Sequence, residues 1–207
     1  IMKKIYMYVL DTMADWENGY LLQGLSLQNM LPNKKYQLHT FSINKEPIKT
    51  AGGLTIIPDM SLDEIDENEI SALLLIGADT WLDEKQQPIL DLAYKLIEKN
   101  IVVGAICGST LGLANKGILD KRVHTSNALF FLTSMANNYN GQDYYKNNVA
   151  VCDNNLITAS SAGSLLWAKY ILEKLELYSD KTIEAWYQYF NTGNADYFND
   201  LINSFKE

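Results

Sequence analysis

The chain has 207 residues, 47% of them apolar and 20% charged, an ordinary globular composition that excludes a disordered or fibrous chain. Its 17 Lys and Arg stand against 25 Asp and Glu, and the net charge of −8 gives no support for binding nucleic acid or an anionic membrane surface. The length predicts one domain over 1–207, with 178–207 as a helical C-terminal extension packed on it.

In chain order, Ile5 to Leu10 reads as a buried strand. Lys3-Lys4 precede it, but Asp11 ends the apolar run too early for a secretory signal, so the expected location is cytoplasmic. Trp16 to Leu31 spaces Leu21, Leu22, Leu25 and Met30 as a helix does. Tyr36 to Ile43 alternates as a strand, and Thr50 to Pro58 reads as a Gly52-Gly53 turn leading into a short strand. Leu73 to Ile76 is a continuous apolar strand ended by Gly77. Glu84 to Asn100 predicts a helix with Leu90, Ala93, Leu96 and Ile97 on one face, and Ile101 to Ile106 is a further apolar strand.

Ser126 to Ala136 predicts a helix, and the Tyr- and Asn-rich stretch Asn137 to Asn148 a loop. Val149 to Cys152 and Leu156 to Thr158 flank a tight-turn sequence, Asp153-Asn154-Asn155. Ser164 to Leu177, Asp180 to Phe190 and Ala195 to Phe205 predict helices. Strands apolar on both faces and separated by helices predict an α/β three-layer sandwich, a mostly parallel sheet with helices on each side. Working residues in such sheets gather at the carboxyl ends of strands, here after Leu10, Ile76 and Ile106.

The third of these places carries Ala105-Ile106-Cys107-Gly108-Ser109. A buried strand running into a nucleophile, then Gly, then a helix has the form of a nucleophile elbow. The sharp reversal requires small residues two before and two after, and Ala105 and Ser109 meet that. A thiol at a helix start tends to ionise below its reference value of about 8.5, and the Gly108 N–H would face an oxyanion. The plain alternative is a buried core cysteine. Cys152 lacks this context and reads as packing. Two cysteines with His39 and His124 in no short spacing give neither a disulfide framework nor a metal site. His39 reads as structural or exposed, and no Gly-rich phosphate loop is present, so no metal or cofactor is expected.

Four segments in order resemble the ThiJ/PfpI superfamily, relatives of class I glutamine amidotransferases with a flavodoxin-like fold. They are Asp11-Thr12-Met13-Ala14-Asp15-Trp16-Glu17; Thr50-Ala51-Gly52-Gly53 with Pro58-Asp59; Leu74-Leu75-Ile76-Gly77-Ala78; and Ala105-Ile106-Cys107-Gly108. The resemblance covers about Met2 to Leu177. It implies Cys107 as nucleophile, Glu17 as the carboxyl bonded to it, and Gly108 and Ala78 as oxyanion donors beside Gly77. By itself Glu17 reads as an acidic residue favouring a helix start. Ala78 stands where the family has a second glycine, which is tolerable only at negative φ.

The peptidase-like branch has a histidine directly after the nucleophile, where this chain has Gly108. His124, in Arg122-Val123-His124-Thr125-Ser126-Asn127, is the remaining candidate, in a register loose by a couple of residues; a satisfied strand-end histidine is the alternative. Thr158 to Gly163 resembles the late loop over the nucleophile, with Ser160 at the pocket and Ser161 in place of a glycine. Trp16 and Trp81 are further pocket candidates or packing residues.

The resemblance implies glyoxalase- or deglycase-like action on small carbonyl compounds or adducts. The alternatives are an amidase, an intracellular peptidase or a glutamine amidotransferase-like protein acting on an amide. A third reading is a non-enzymatic oxidative-stress sensor through Cys107. Many relatives of this kind are homodimers or larger assemblies, so the resemblance implies a homodimer as one option, and Trp186, Tyr187, Tyr189 and Phe190 read as an interface or as cover over the sheet.

Overall fold

The computed structural model describes residues 1–207. The apolar runs fold as strands: β1 is Lys3–Tyr8, β2 Tyr36–Ser42, β6 Ile70–Leu75, β7 Val102–Ile106 and β9 Leu156–Ala159. The short strands are β5 Met60–Ser61 and β8 Ala150–Asp153 at the two sheet edges, and β3 Ile48–Lys49 with β4 Thr55–Ile56 as a separate pair. Seven of them form one sheet in the order β5-β2-β1-β6-β7-β9-β8. Its pairings are parallel except β8 with β9, where the Asp153-Asn154-Asn155 turn permits an antiparallel hairpin.

β6 and β7 are apolar throughout because the sheet is covered on both faces. The helices are α1 (Gly19–Ser26), α2 (Gln87–Glu98), α3 (Ser109–Asn115), α4 (Leu129–Met135) and α5 (Ser164–Lys174). α6 (Asp180–Thr192) and α7 (Ala195–Ser204) close the chain. α6 packs on α5, and the indole N–H of Trp186 donates to Gln23 Oε1 at 2.6 Å, so the C-terminal helices lie over α5 and α1. Trp186 is therefore cover for the core, and no helix is long and apolar enough to cross a membrane.

The chain winds outward from β1 in both directions, to β2 on one side and β6 on the other. The strands β1, β6 and β7 are adjacent, so the segments after Tyr8, Leu75 and Ile106 meet at one sheet edge. Some boundaries differ from the sequence expectation. The helix predicted over Trp16 to Leu31 begins only at Gly19, because Trp16 and Glu17 stay in a turn, and it ends in a single 3-10 turn, Leu27–Met30. The helix predicted from Ser126 begins at Leu129, which leaves Ser126 and Asn127 outside any helix or strand. Thr50 to Gly53 is a turn that leads into the short strand β4, as expected, and β3 before it completes a hairpin. Asp15 holds that turn by accepting from the Thr50 hydroxyl and from the Gly52 N–H at 2.6 Å.

Candidate active site

β7 ends at Ile106 and the next residue, Cys107, takes φ +55°, in the left-handed region that a side chain adopts only when its surroundings hold it there. The holding groups are local. The Ser109 hydroxyl donates to Leu75 O at 2.8 Å and accepts from the Ile106 N–H at 2.8 Å, tying the start of α3 to β6 and β7. The Cys107 N–H donates to Ala159 O at 2.9 Å. Ala105 and Ser109 are fully buried on either side of the reversal. This is the elbow that the small-residue pattern predicts.

Glu17 is fully buried although it lies in a turn. Its Oε1 accepts from the Gly77 N–H at 2.8 Å, so β6 fixes the carboxyl. Glu17 is outside the first turn of α1, and the helix-start reading does not apply. Its Oε2 has no hydrogen-bond partner, and the Cys107 side chain lies beside the carboxyl across Gly77. A β-carbon on Gly77 would lie 2.7 Å from Glu17 Oε1 and 2.8 Å from Cys107 Cβ, so only glycine lets strand end, carboxyl and thiol approach one another.

Burial pushes the Glu17 carboxyl up, against the pull of the Gly77 N–H. Burial also pushes the Cys107 thiol up, with Asn127 drawing it back and Glu17 adding to the rise. The helix-start argument alone predicted a lowered thiol; burial overrides it. Two such groups side by side cannot both ionise at small cost, so ionisation of either one opposes ionisation of the other.

Gly108 continues the turn at φ −59° and ψ −25°. A β-carbon there would lie 2.6 Å from Ala78 O and 3.1 Å from Ala78 N. The close approach penalises any side chain directly after the nucleophile, which is a physical reason for glycine in place of the peptidase-type histidine. Ala78 does not have positive φ, so its methyl is accommodated. The Gly108 and Ala78 N–H groups donate to no backbone carbonyl, and the Gly108 N–H acts on the Cys107 sulfur. Two backbone donors beside a nucleophile can hold the oxygen of an attacked carbonyl.

His124 does not stand at the thiol. It is fully buried, its Nδ1 bonds Arg122 O at 2.6 Å, and its Nε2 bonds the Tyr139 hydroxyl at 2.7 Å. Its backbone bridges to Tyr145 and its ring packs edge-on to the Tyr139 and Tyr145 rings, so it braces the loop between α4 and β8. Burial lowers its pKa and keeps it neutral.

The residue at the sulfur is Asn127, three positions on. Its Nδ2 donates to Cys107 Sγ at 3.3 Å, and its Oδ1 accepts from the Ser161 N–H at 2.8 Å. The sequence signal for it was present: an amide side chain in the segment where the resemblance places a histidine.

Trp81 is not a pocket residue. It is buried, its indole donates to Ile76 O at 2.8 Å, and it packs on Tyr8 behind the site. Trp16 is at the mouth, 57% exposed, with its indole donating to Ser161 O at 3.3 Å. Ser160 is half-buried and uses only its backbone, donating to Val149 O, so Ser161 rather than Ser160 joins the late loop to the site. Cys152 lies in β8 with its thiol on Asn154 O, remote in sequence and contacts from this centre. Stacking on Tyr6 places His39 in β2, away from the centre.

The DJ-1/PfpI family model matches residues 3–174. The chain is 40% identical over 204 residues to the uncharacterized protease YoaZ of Bacillus subtilis (strain 168), covering 98% of this chain and 97% of that one. The crystal structure of a thiJ/pfpI family protein from Bacillus anthracis superposes with a TM-score of 0.90 at 39% identity, over 99% of this chain and 97% of that one. The chain is also 26% identical over 133 residues to the glutathione-independent glyoxalase DJR-1.2 of Caenorhabditis elegans, covering 63% of this chain and 69% of that protein.

Proposed function

The chain belongs to the DJ-1/PfpI family, and from that premise we propose that it acts through Cys107 on small carbonyl compounds, 2-oxoaldehydes first among them. The observation that carries the reading is the placement of the Cys107 side chain and the buried Glu17 carboxyl together against Gly77, next to two backbone donors and without an imidazole. Amide hydrolysis needs a base for the nucleophile and an acid for the departing amine. Both nitrogens of His124 are engaged elsewhere, and Ala78 leaves no room for a histidine at 108. Conversion of a 2-oxoaldehyde needs one carboxyl moving one proton at a time, which Glu17 supplies.

In that reaction the sulfur adds to the aldehyde carbon, forming a C–S bond, and the carbonyl electron pair passes to oxygen. The Gly108 and Ala78 N–H groups hold this oxyanion. It takes the Glu17 proton and becomes a hemithioacetal. Glu17, now a carboxylate, removes the proton from that carbon and delivers it to the neighbouring carbonyl carbon through an enediol, leaving a thioester of a 2-hydroxy acid. Water cleaves the thioester, restores the thiol proton and releases the acid. The name of the C. elegans relative supports this class; the name of the B. subtilis relative keeps amide hydrolysis as the competitor. The same purified protein, offered an aryl glyoxal and a panel of peptide amides, decides between them. Formation of the 2-hydroxy acid is expected; peptide cleavage without aldehyde turnover overturns the proposal.

A further inference from the structure

We infer that Asn127 is a third functional residue of the Cys107 centre, a side-chain amide locked in one orientation that donates to the reacting sulfur. The inference takes the identity of the nucleophile from the reading above and adds a residue and a role to it.

The lock is geometric. The Ser161 N–H can only donate, and it points at the Asn127 amide at 2.8 Å. The amide oxygen must therefore face Ser161, and the NH2 must face Cys107 Sγ, 3.3 Å away. The usual ambiguity in the orientation of an asparagine amide is removed by this one partner. Both flanks are held. Ahead of Asn127, the Thr125 N–H donates to Thr158 Oγ1 at 2.9 Å and the Ser126 and Thr110 hydroxyls bond at 2.7 Å. On the other side, Trp16 donates to Ser161 O, so the late loop is pinned from the first loop.

The role follows from the chemistry of the amide. A carboxamide neither gains nor loses a proton in the working range, so its donor faces the sulfur at every pH, as an imidazole's would not. A donor favours the anionic sulfur over the thiol. Glu17 is the titratable group that acts on this thiol, and the Gly108 N–H is the other donor. Asn127 thus raises the thiolate fraction without adding a titrating group of its own.

The test is the pH dependence of iodoacetamide alkylation at Cys107, read by peptide mass with Cys152 as internal control. It compares wild type, Asn127→Asp and Ser161→Pro. Asn127→Asp keeps an oxygen for the Ser161 N–H and replaces the donor by a charge. Its Cys107 alkylation below the thiol pKa is expected to fall about tenfold, the size of a lost hydrogen bond to a charged group. Ser161→Pro leaves Asn127 intact and removes the N–H that orients it. Ser160 sits at φ −73° and ψ 163°, which a residue before proline adopts, and Ser161 opens a 3-10 turn, where proline is tolerated. Its profile is expected to move in the same direction by a smaller amount.

An unchanged profile in Ser161→Pro overturns the inference, whether or not Asn127→Asp folds, because a shift in Asn127→Asp alone reports only the added charge. Alkylation needs no substrate. A shift in both variants of a protein that converts no 2-oxoaldehyde upholds Asn127 and overturns the proposed activity; turnover with unmoved profiles does the reverse.

Discussion

Gly108→Ala sets two effects of opposite sign against each other. At φ −59° and ψ −25° any residue is comfortable, so the exchange by itself would stabilise the fold by ~0.4–1 kcal/mol through the unfolded chain. The new methyl, however, lies 2.6 Å from Ala78 O, and ordinary contact begins at 3.4 Å, so something must move by 3.4 − 2.6 = 0.8 Å. Ala78 is not free to move. Gly77 O accepts from the Ala14 N–H at 2.9 Å, Gly77 N donates to Glu17 Oε1 at 2.8 Å, and the Asp79 N–H donates to Thr12 Oγ1 at 2.9 Å. Overpacking a held site costs ~1–3 kcal/mol, so the clash wins and a net loss of about 1 kcal/mol in urea unfolding is expected. Any relief by moving Ala78 also withdraws its N–H from the oxyanion. In the proposed reaction that predicts a fall in kcat of ~10²–10³. A Gly108→Ala protein that is more stable than wild type and turns over at the same rate would refute the close approach of elbow and β6 loop.

Three further expectations follow from the same geometry. Because burial raises the Glu17 pKa, its stabilising contribution is full below the unfolded value of about 4.3 and is lost as pH rises through the folded value; Glu17→Gln stays neutral. Urea unfolding should find the variant gaining on wild type as pH rises from the unfolded value towards the folded one, by at most ~1.4 kcal/mol per unit, and a constant difference over that range would contradict it. The lowered pKa of His124 has the opposite sign: its contribution is present above about 6.5 and is lost as pH falls through the folded value. His124→Gln should flatten the acid limb of stability while leaving the Cys107 alkylation profile unmoved; a moved profile would return His124 to the site. Trp16 is 57% exposed whereas Trp81, Trp167 and Trp186 are buried, so Trp16→Phe should abolish most acrylamide quenching of tryptophan fluorescence and change stability by less than ~0.5 kcal/mol.

The sheet was legible because β6 and β7 are unbroken apolar runs, and length and composition alone mark such runs as strands covered on both faces. The elbow was legible because a sharp turn imposes small residues at fixed offsets, and Ala105 and Ser109 are adjacent in sequence to the residue they serve. What sequence could not supply was which distant side chain completes the site. His124 was the better chemical candidate, but the position facing the sulfur lies three places further on, at Asn127. Trp81 misled for a related reason: it follows Gly77-Ala78 closely, yet the chain turns its indole back under β6, onto Ile76 O. The thiol's direction of shift was missed because helix position is written in the sequence and burial is not.

In the proposed reaction Cys107 and Glu17 together convert a 2-oxoaldehyde into a 2-hydroxy acid. The most direct measurement is acid formation from an aryl glyoxal under single-turnover conditions, followed by NMR, for wild type, Cys107→Ala, Glu17→Gln and Cys152→Ser. Acid is expected from wild type and Cys152→Ser and none from the other two. Acid formed at the wild-type rate by Cys107→Ala or by Glu17→Gln would contradict it.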